Sequence, residues 1–284
     1  MTATLATAPA VRIAGSAPQF GVRSFERVRR LIHEIAGISL SDGKRTMVQN
    51  RLTKRLRATG HDGFDAYLDL VEAPDAAERV HFANALTTNL TSFFREAHHF
   101  PILVEHLRGR TAHAKSIVWS AACSTGEEPY SIAISIVEAL GEQARDVRII
   151  ASDLDTEALE TARAGIYPID RAAALGEERL RRFFLRGDGA RTGWVKVRPE
   201  IARMVEFRHI NLFDASWPIE PSLAAIFCRN AMIYFAKPTQ LAILERFAPL
   251  LAGGGLLFAG HSENFHYLAG KLLRSCGRTV YRPL

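Results

Sequence analysis

Residues 117–131, Ile-Val-Trp-Ser-Ala-Ala-Cys-Ser-Thr-Gly-Glu-Glu-Pro-Tyr-Ser, decide the fold. An apolar run, Ile117 to Trp119, stops at a turn of small residues (Ala121, Ala122, Ser124, Gly126) and then restarts with helical spacing. Pro129 suits the first turn of a helix, Ile132, Ile136, Val137 and Leu140 recur at three- and four-residue steps, and Gly141 is placed to end it. The stretch reads as strand, tight turn, helix, with a small ligand against the turn. Glu127 and Glu128 stand at the positive end of that helix. A phosphate site of this type relies on exposed N–H groups and several glycines, and two carboxylates would repel a pyrophosphate. They suit hydroxyls, an ammonium or a sulfonium, which points away from NAD and ATP and towards S-adenosylmethionine. Taken alone, the same two acids are equally compatible with simple decoration of a helix dipole.

Outward from this turn, strand-like and helix-like runs alternate. Strands are expected at 117–119, 147–151, 204–207, 223–228, 255–259 and 278–282, with helices at about 128–140, 155–164, 239–251 and 264–275. This pattern predicts a mostly parallel sheet covered on both faces. Ligands of such sheets bind beyond the carboxyl ends of the strands. The residues found there are Asp153 and Asp155, Asn211-Leu212, Arg229-Asn230 with Tyr234, and Gly260 to Asn264. Asp153 is the first choice for accepting ribose hydroxyls, with Asp155 as the cap of the next helix and Ser262 as another cap. Arg182 to Arg198 alternates on either side of Gly187, Gly189 and Gly193, a hairpin signature that predicts an appended flap.

Residues 22–88 read as a bundle of about four helices, punctuated by Gly37, Gly43, Gly60 and Pro74. Its charges are segregated: six basic and no acidic residues from Gly43 to Ala58, six acids and no Lys or Arg from Asp62 to Glu78. On the second helix Lys44, Arg51 and Arg55 fall near one line, with Met47, Leu52 and Leu56 towards the bundle. That line fits docking on an acidic surface or a solvated basic face. The segment Asn89 to Phe100 is unusually aromatic, and its adjacent His98 and His99 cannot share a helix face as metal ligands, so no metal is expected.

At 284 residues, 48% hydrophobic and 23% charged, the chain can bury one large core or two modest ones. No apolar run approaches the roughly 20 residues of a membrane span. The first 21 residues read as a flexible tail without an export signal, and Cys123, Cys228 and Cys276 are too few and too far apart for a disulfide framework or zinc site. A cytoplasmic location is expected. The net charge of +6 hints at an acidic partner.

The segments LTTNLTSFFREAHHFP (86–101), WSAACSTGEEPYS (119–131), ASDLDTEALETARAGIY (151–167), FCRNAMIYF (227–235) and LLFAGHSENF (256–265) together resemble the chemotaxis receptor glutamate O-methyltransferase family, of the CheR type. The resemblance covers the chain from about residue 22. It implies a helical receptor-docking domain (22–88), a linker closing the cofactor site (89–101), and a Rossmann-like, class I methyltransferase domain (102–284) of α/β type with a small antiparallel β flap at about 182–207. The family's S-adenosylmethionine contacts fall on Asn89, Thr91, Arg95, Glu127, Asp153, Asn211, Leu212, Arg229 and Asn230. Arg95 and Tyr234 are the expected catalytic residues. In some members the flap docks a tether peptide from the receptor C-terminus; Gly187, Gly189 and Gly193 match that pattern, and Lys196 stands where Arg is expected. The implied partner is the cytoplasmic domain of a chemoreceptor, met by a monomer with no membrane insertion and no nucleic acid.

A nucleic-acid methyltransferase fits less well. The place after the fourth strand reads Cys-Arg-Asn-Ala rather than Asn/Asp-Pro-Pro-aromatic, and Cys228 follows Phe227 rather than the proline of a cytosine-carbon nucleophile. A non-catalytic, receptor-binding sensor of the cofactor is the other alternative.

Overall fold

The computed structural model describes residues 20–111, 115–265 and 272–284. The segregated charges of the N-terminal region are resolved by packing. Helices α1 (Val22–Ala36), α2 (Arg45–Thr59), α3 (Phe64–Glu72) and α4 (Glu78–Leu86) turn Val28, Leu31, Ile32, Val48, Leu52, Leu56, Leu68 and Phe82 into one core. Val48 is fully buried whereas Met47 packs only at the edge. The acids of α3 meet α1: Arg27 reaches Asp69 at 2.6 Å and Glu72 at 2.9 Å, and Arg30 reaches Glu72 at 2.6 Å.

Beyond the bundle the order is α5 (His99–Thr111), β1 (Ser116–Ser120), α6 (Glu127–Leu140), β2 (Val147–Asp153), α7 (Thr156–Ala164), β3 (Ile166–Pro168), α8 (Ile169–Ala172), α9 (Gly176–Phe183), β4 (Phe184–Arg186), β5 (Trp194–Val197) and α10 (Pro199–Ala202). Then come β6 (Val205–His209), β7 (Leu223–Cys228), α11 (Lys237–Phe247), β8 (Leu251–Ala259), β9 (Leu273–Gly277) and β10 (Val280–Pro283). The large sheet runs β6-β2-β1-β7-β8-β10-β9. Its first five strands are parallel, and β10 is antiparallel to both neighbours. Adjacent strand residues serve opposite faces: Val118 and Phe227 pack with α5 and α6, whereas Trp119 and Ile226 pack with Ile243, Leu244 and Phe247 of α11. Because β1 leads to β2 on one side and borders β7 on the other, the chain reverses its winding between β1 and β7. A crevice opens at their carboxyl ends.

Three expectations are corrected. The helix expected at 264–275 is not formed at Asn264 or Phe265, and Leu273–Gly277 is a strand paired with β10; residues 266–271 lie outside the described residues. Ser262 therefore caps no helix among the described residues. The flap expected at 182–207 is a sheet of order β3-β5-β4, so it recruits Ile166–Pro168, while β6 belongs to the large sheet. Finally, α5 was not anticipated, although buried Phe100, Leu103, Val104 and Leu107 show helical spacing.

Candidate active site

The turn after β1 forms because two residues accept left-handed backbone, Ser124 at φ 50° and Gly126 at φ 97°. A Cβ on Gly126 would lie 2.8 Å from Ala162 Cβ and 2.9 Å from the Tyr167 hydroxyl, so only glycine lets α6 start this close to α7. Above the turn lies a cavity at the carboxyl ends of the strands. Its walls are the linker (Asn89, Thr91, Arg95), the strand ends (Asp153, Asn211, Leu212, Arg229, Asn230) and Tyr234, with Ala36 and Ile38 from the bundle. A single β-bridge, Ile38 to Phe235, and the Ser39 N–H donating to the Tyr234 carbonyl at 2.8 Å hold the bundle on this loop.

Asp153 ends β2 with its carboxylate already oriented: Oδ2 accepts the Ser124 N–H at 2.7 Å and Oδ1 the Asp155 N–H at 2.9 Å. Burial pushes its pKa up to about 6, against those two hydrogen bonds. Asp155 caps α7 as expected, accepting the Glu157 and Ala158 N–H groups.

The two glutamates that open α6 lie in different places. Glu127 is fully buried away from the cavity, accepts from the Thr125 hydroxyl at 2.7 Å and is paired with Arg171 of α8. Glu128 lines the cavity, accepting from the Ser120 hydroxyl at 2.7 Å and lying 3.0 Å from Arg229 Nε. Burial raises the Glu128 carboxyl above the usual range, and Arg229 pulls it the other way.

Arg229 is 6% exposed and serves as floor more than as a reaching arm. Its Nη2 donates to the Arg95 carbonyl at 2.5 Å and its Nη1 faces His99 Nδ1 at 3.3 Å. Burial drives the His99 pKa down to about 3, with the nearby Arg229 charge adding to it, so the ring is neutral. The Arg95 side chain donates to the Leu90 carbonyl at 2.8 Å and folds the linker over the cavity. The Asn211 amide donates to the Ile35 carbonyl at 2.7 Å, tying the segment after β6 to α1. Glu263, which sequence reasoning passed over, accepts three backbone N–H groups, from Gly260 at 2.6 Å, Met232 at 2.8 Å and Asn230 at 2.9 Å. It holds Asn230 at φ 59° and so shapes the loop that carries Tyr234.

The remaining residues singled out from sequence lie elsewhere. Arg51 and Arg55 do not form a free basic ridge. Arg51 donates to the Thr87 carbonyl, and Arg55 grips Glu78 through Nε (2.9 Å) and Nη2 (2.8 Å). Lys44 precedes α2 on a 3-10 turn and is exposed. Gly187, Gly189 and Gly193 shape the β4–β5 connection: a Cβ on Gly187 would meet the Arg191 carbonyl at 2.2 Å, and the other two have positive φ. Among the described residues no His, Cys, Asp or Glu group is arranged to hold a metal.

Residues 89–281 match the family described as CheR methyltransferase, SAM binding domain, and residues 23–87 match CheR methyltransferase, all-alpha domain. The chain is 55% identical over 259 residues to a chemotaxis protein methyltransferase of Salmonella typhimurium, covering 90% of this chain and 88% of that protein. It is 50% identical to chemotaxis protein methyltransferase 2 of Pseudomonas aeruginosa (91% and 92% covered) and 50% identical to the chemotaxis protein methyltransferase of Escherichia coli (90% and 89%).

Proposed function

The chain belongs to the CheR methyltransferase family, whose cofactor is S-adenosylmethionine, and from that premise we propose that it methylates glutamate side chains on the cytoplasmic helices of chemotaxis receptors. The observation that carries the cofactor assignment is the oriented, half-buried Asp153 carboxylate beside a turn whose helix presents Glu128 to the cavity. Such a wall accepts hydroxyls and a cation and repels phosphate. In this reading Asp153 holds the ribose hydroxyls, Glu128 with Asn89 and Thr91 receives the polar and cationic parts of the cofactor, and Asn211, Leu212 and Asn230 complete the walls. When bound, S-adenosylmethionine supplies an electrophilic sulfonium methyl.

The acceptor needs no general base, since a glutamate with an ordinary pKa near 4.3 is a carboxylate at neutral pH. What the protein supplies is alignment, for which positioning contributes roughly 7–11 kcal/mol, and exclusion of water. Charge is neutralised as the methyl passes over, so a dry site raises the reactants more than the transition state. Arg95 orients a carboxylate at the mouth, and Tyr234 reaches the reacting centre from the opposite loop. Leu90, in the cavity wall, is an exposed apolar side chain (77%), and Ile233 (50%) precedes Tyr234 in sequence; both suit the flank of an amphipathic receptor helix. The flap presents Ile166, Lys196 and Leu185 in one register row with Trp194 beside it, and a receptor tether peptide docks there. On the bundle, Lys44 remains the exposed basic contact of the original three.

The test is incorporation of base-labile labelled methyl into receptor cytoplasmic domain, with RNA and DNA as alternative acceptors. Label in nucleic acid, or none in receptor, overturns the assignment. Arg95→Ala is expected to lower receptor methylation more than about tenfold, roughly 1.4 kcal/mol, with helix content unchanged. Transfer within about threefold of wild type would remove Arg95 from the catalytic set.

Asp153→Ala is expected to weaken cofactor binding by about 1–3 kcal/mol, because the hydroxyls lose a charged acceptor. The pH dependence follows from its pKa near 6. A carboxyl raised in the folded state contributes to stability below its ordinary pKa of about 4, and that contribution is lost as pH rises through 6. Ribose hydroxyls bind the ionised form, so cofactor affinity rises through pH 6 and levels off above about 7. Calorimetry with S-adenosylhomocysteine from pH 5 to 8 checks this; a flat profile in wild type, or the same profile in Asp153→Asn, would contradict it.

A further inference from the structure

We infer that Asp155 is a positioning residue: it caps α7 with one carboxylate oxygen and, with the other, fastens the linker to the strand end that carries Asp153. This rests on the cofactor reading above. Oδ1 accepts the Glu157 and Ala158 N–H groups, each at 3.0 Å. Oδ2 accepts the Thr87 hydroxyl at 2.6 Å and the Asn89 amide at 2.7 Å, groups more than sixty residues away in sequence. The Asp155 N–H donates to Asp153 Oδ1. One residue, 2% exposed, thus touches the helix start, the linker and the ribose-binding carboxylate.

Capping does not require this arrangement, since a single side-chain oxygen satisfies the first amides of a helix. The second oxygen is committed wholly to the linker. Neighbouring contacts run the same way. The Asn84 side chain donates to the Thr156 hydroxyl at 2.8 Å and accepts the Thr156 N–H at 3.3 Å, and the Ser124 hydroxyl donates to the Asn89 carbonyl at 3.2 Å. Thr87, Thr88 and Asn89 line the same cavity as Asp153, so the fastening sets the width of the ribose end. Its consequence is that the linker closes only on a correctly placed Asp153, and cofactor affinity depends on residues 84–89.

The substitution Asp155→Ser separates the two roles. Serine keeps one capping oxygen but is too short, and has no second oxygen, to hold Thr87 and Asn89. In the full-length protein without ligand, amide hydrogen exchange at residues 84–91 is expected to quicken about tenfold or more, for two charge-assisted bonds lost, while α7 exchange stays near wild type. S-adenosylhomocysteine affinity is expected to fall about tenfold or more, with its pH midpoint moving below that of wild type, because the Asp155 charge helps raise Asp153. Thr87→Val, which leaves the cap intact, is expected to quicken the same linker amides and serves if Asp155→Ser does not fold. Wild-type exchange at 84–91 in Thr87→Val, or wild-type linker exchange and affinity in a folded Asp155→Ser, overturns the inference and leaves Asp155 a cap. Because exchange is read without ligand, failure of wild type to bind S-adenosylhomocysteine would instead sink the cofactor reading alone.

Discussion

Arg229→Met is expected to lower folding stability by about 3–5 kcal/mol, the cost of removing one partner from a buried ion pair. Methionine fills much of the volume but leaves Glu128, in the cavity wall, and Glu96 without the guanidinium, which lies 3.0 Å and 4.0 Å from them. His99 is a poor replacement cation, since burial, the largest cause of its lowered pKa, persists in the variant and its Nε2 is engaged with the Thr279 hydroxyl at 2.9 Å. The linker also loses the bond from Arg229 Nη2 to the Arg95 carbonyl. The sign of the pH effect discriminates this cause from simple loss of packing. The Glu128 carboxyl, already raised by burial, rises further without Arg229 and takes up a proton on acidification, so the deficit shrinks between pH 8 and 5.5. Urea denaturation at the two pH values measures it. A loss under about 1 kcal/mol, or a deficit independent of pH, would show that the ion pair does not carry the floor.

Arg55→Glu is expected to destabilise the N-terminal bundle by about 3–5 kcal/mol, and so to abolish receptor methylation by unfolding that domain rather than by weakening a docking contact. Arg55 is bidentate to Glu78, and the Tyr67 hydroxyl donates to the same carboxylate at 2.9 Å. Burial acts to raise the Glu78 carboxyl, but the hydrogen bonds from Arg55 and Tyr67 outweigh it and hold it below the usual range. A second carboxylate at position 55 would face Glu78, which is 8% exposed, with no cation between them. Thermal denaturation followed by helix content measures the effect, with Lys44→Glu on the exposed turn as the control that keeps wild-type stability. A folded Arg55→Glu with an altered Michaelis constant for receptor alone would restore Arg55 to a docking role.

These two arginines mark where sequence reading reaches its limit. Arg229 and Asp153 were found because each follows a strand whose apolar run is unmistakable, and a parallel sheet collects its strand ends in one crevice. Arg51 and Arg55 were aligned correctly on their helix, yet the surface that covers them comes from residues 78–88, which helical periodicity does not locate. The same limit explains Glu263: nothing local in Gly260 to Asn264 reveals that one carboxylate gathers three N–H groups from two loops.

Spacing along the chain and side-chain type were enough for the alternation of β1, β2, β6, β7 and β8 with helices, the small-residue turn at 121–126, the placing of Asp153 at a strand end and the family. Which of Glu127 and Glu128 lines the cavity is visible only in the folded chain. Successive helical residues point about 100° apart, and how α6 is rotated against the sheet turns Glu128 to the cavity and Glu127 to Arg171 of α8. Tertiary packing likewise decided that Asp155 reaches the linker, since its second oxygen finds partners more than sixty residues away, at a distance set by how α4 packs on α7 and by no feature of the residues beside it.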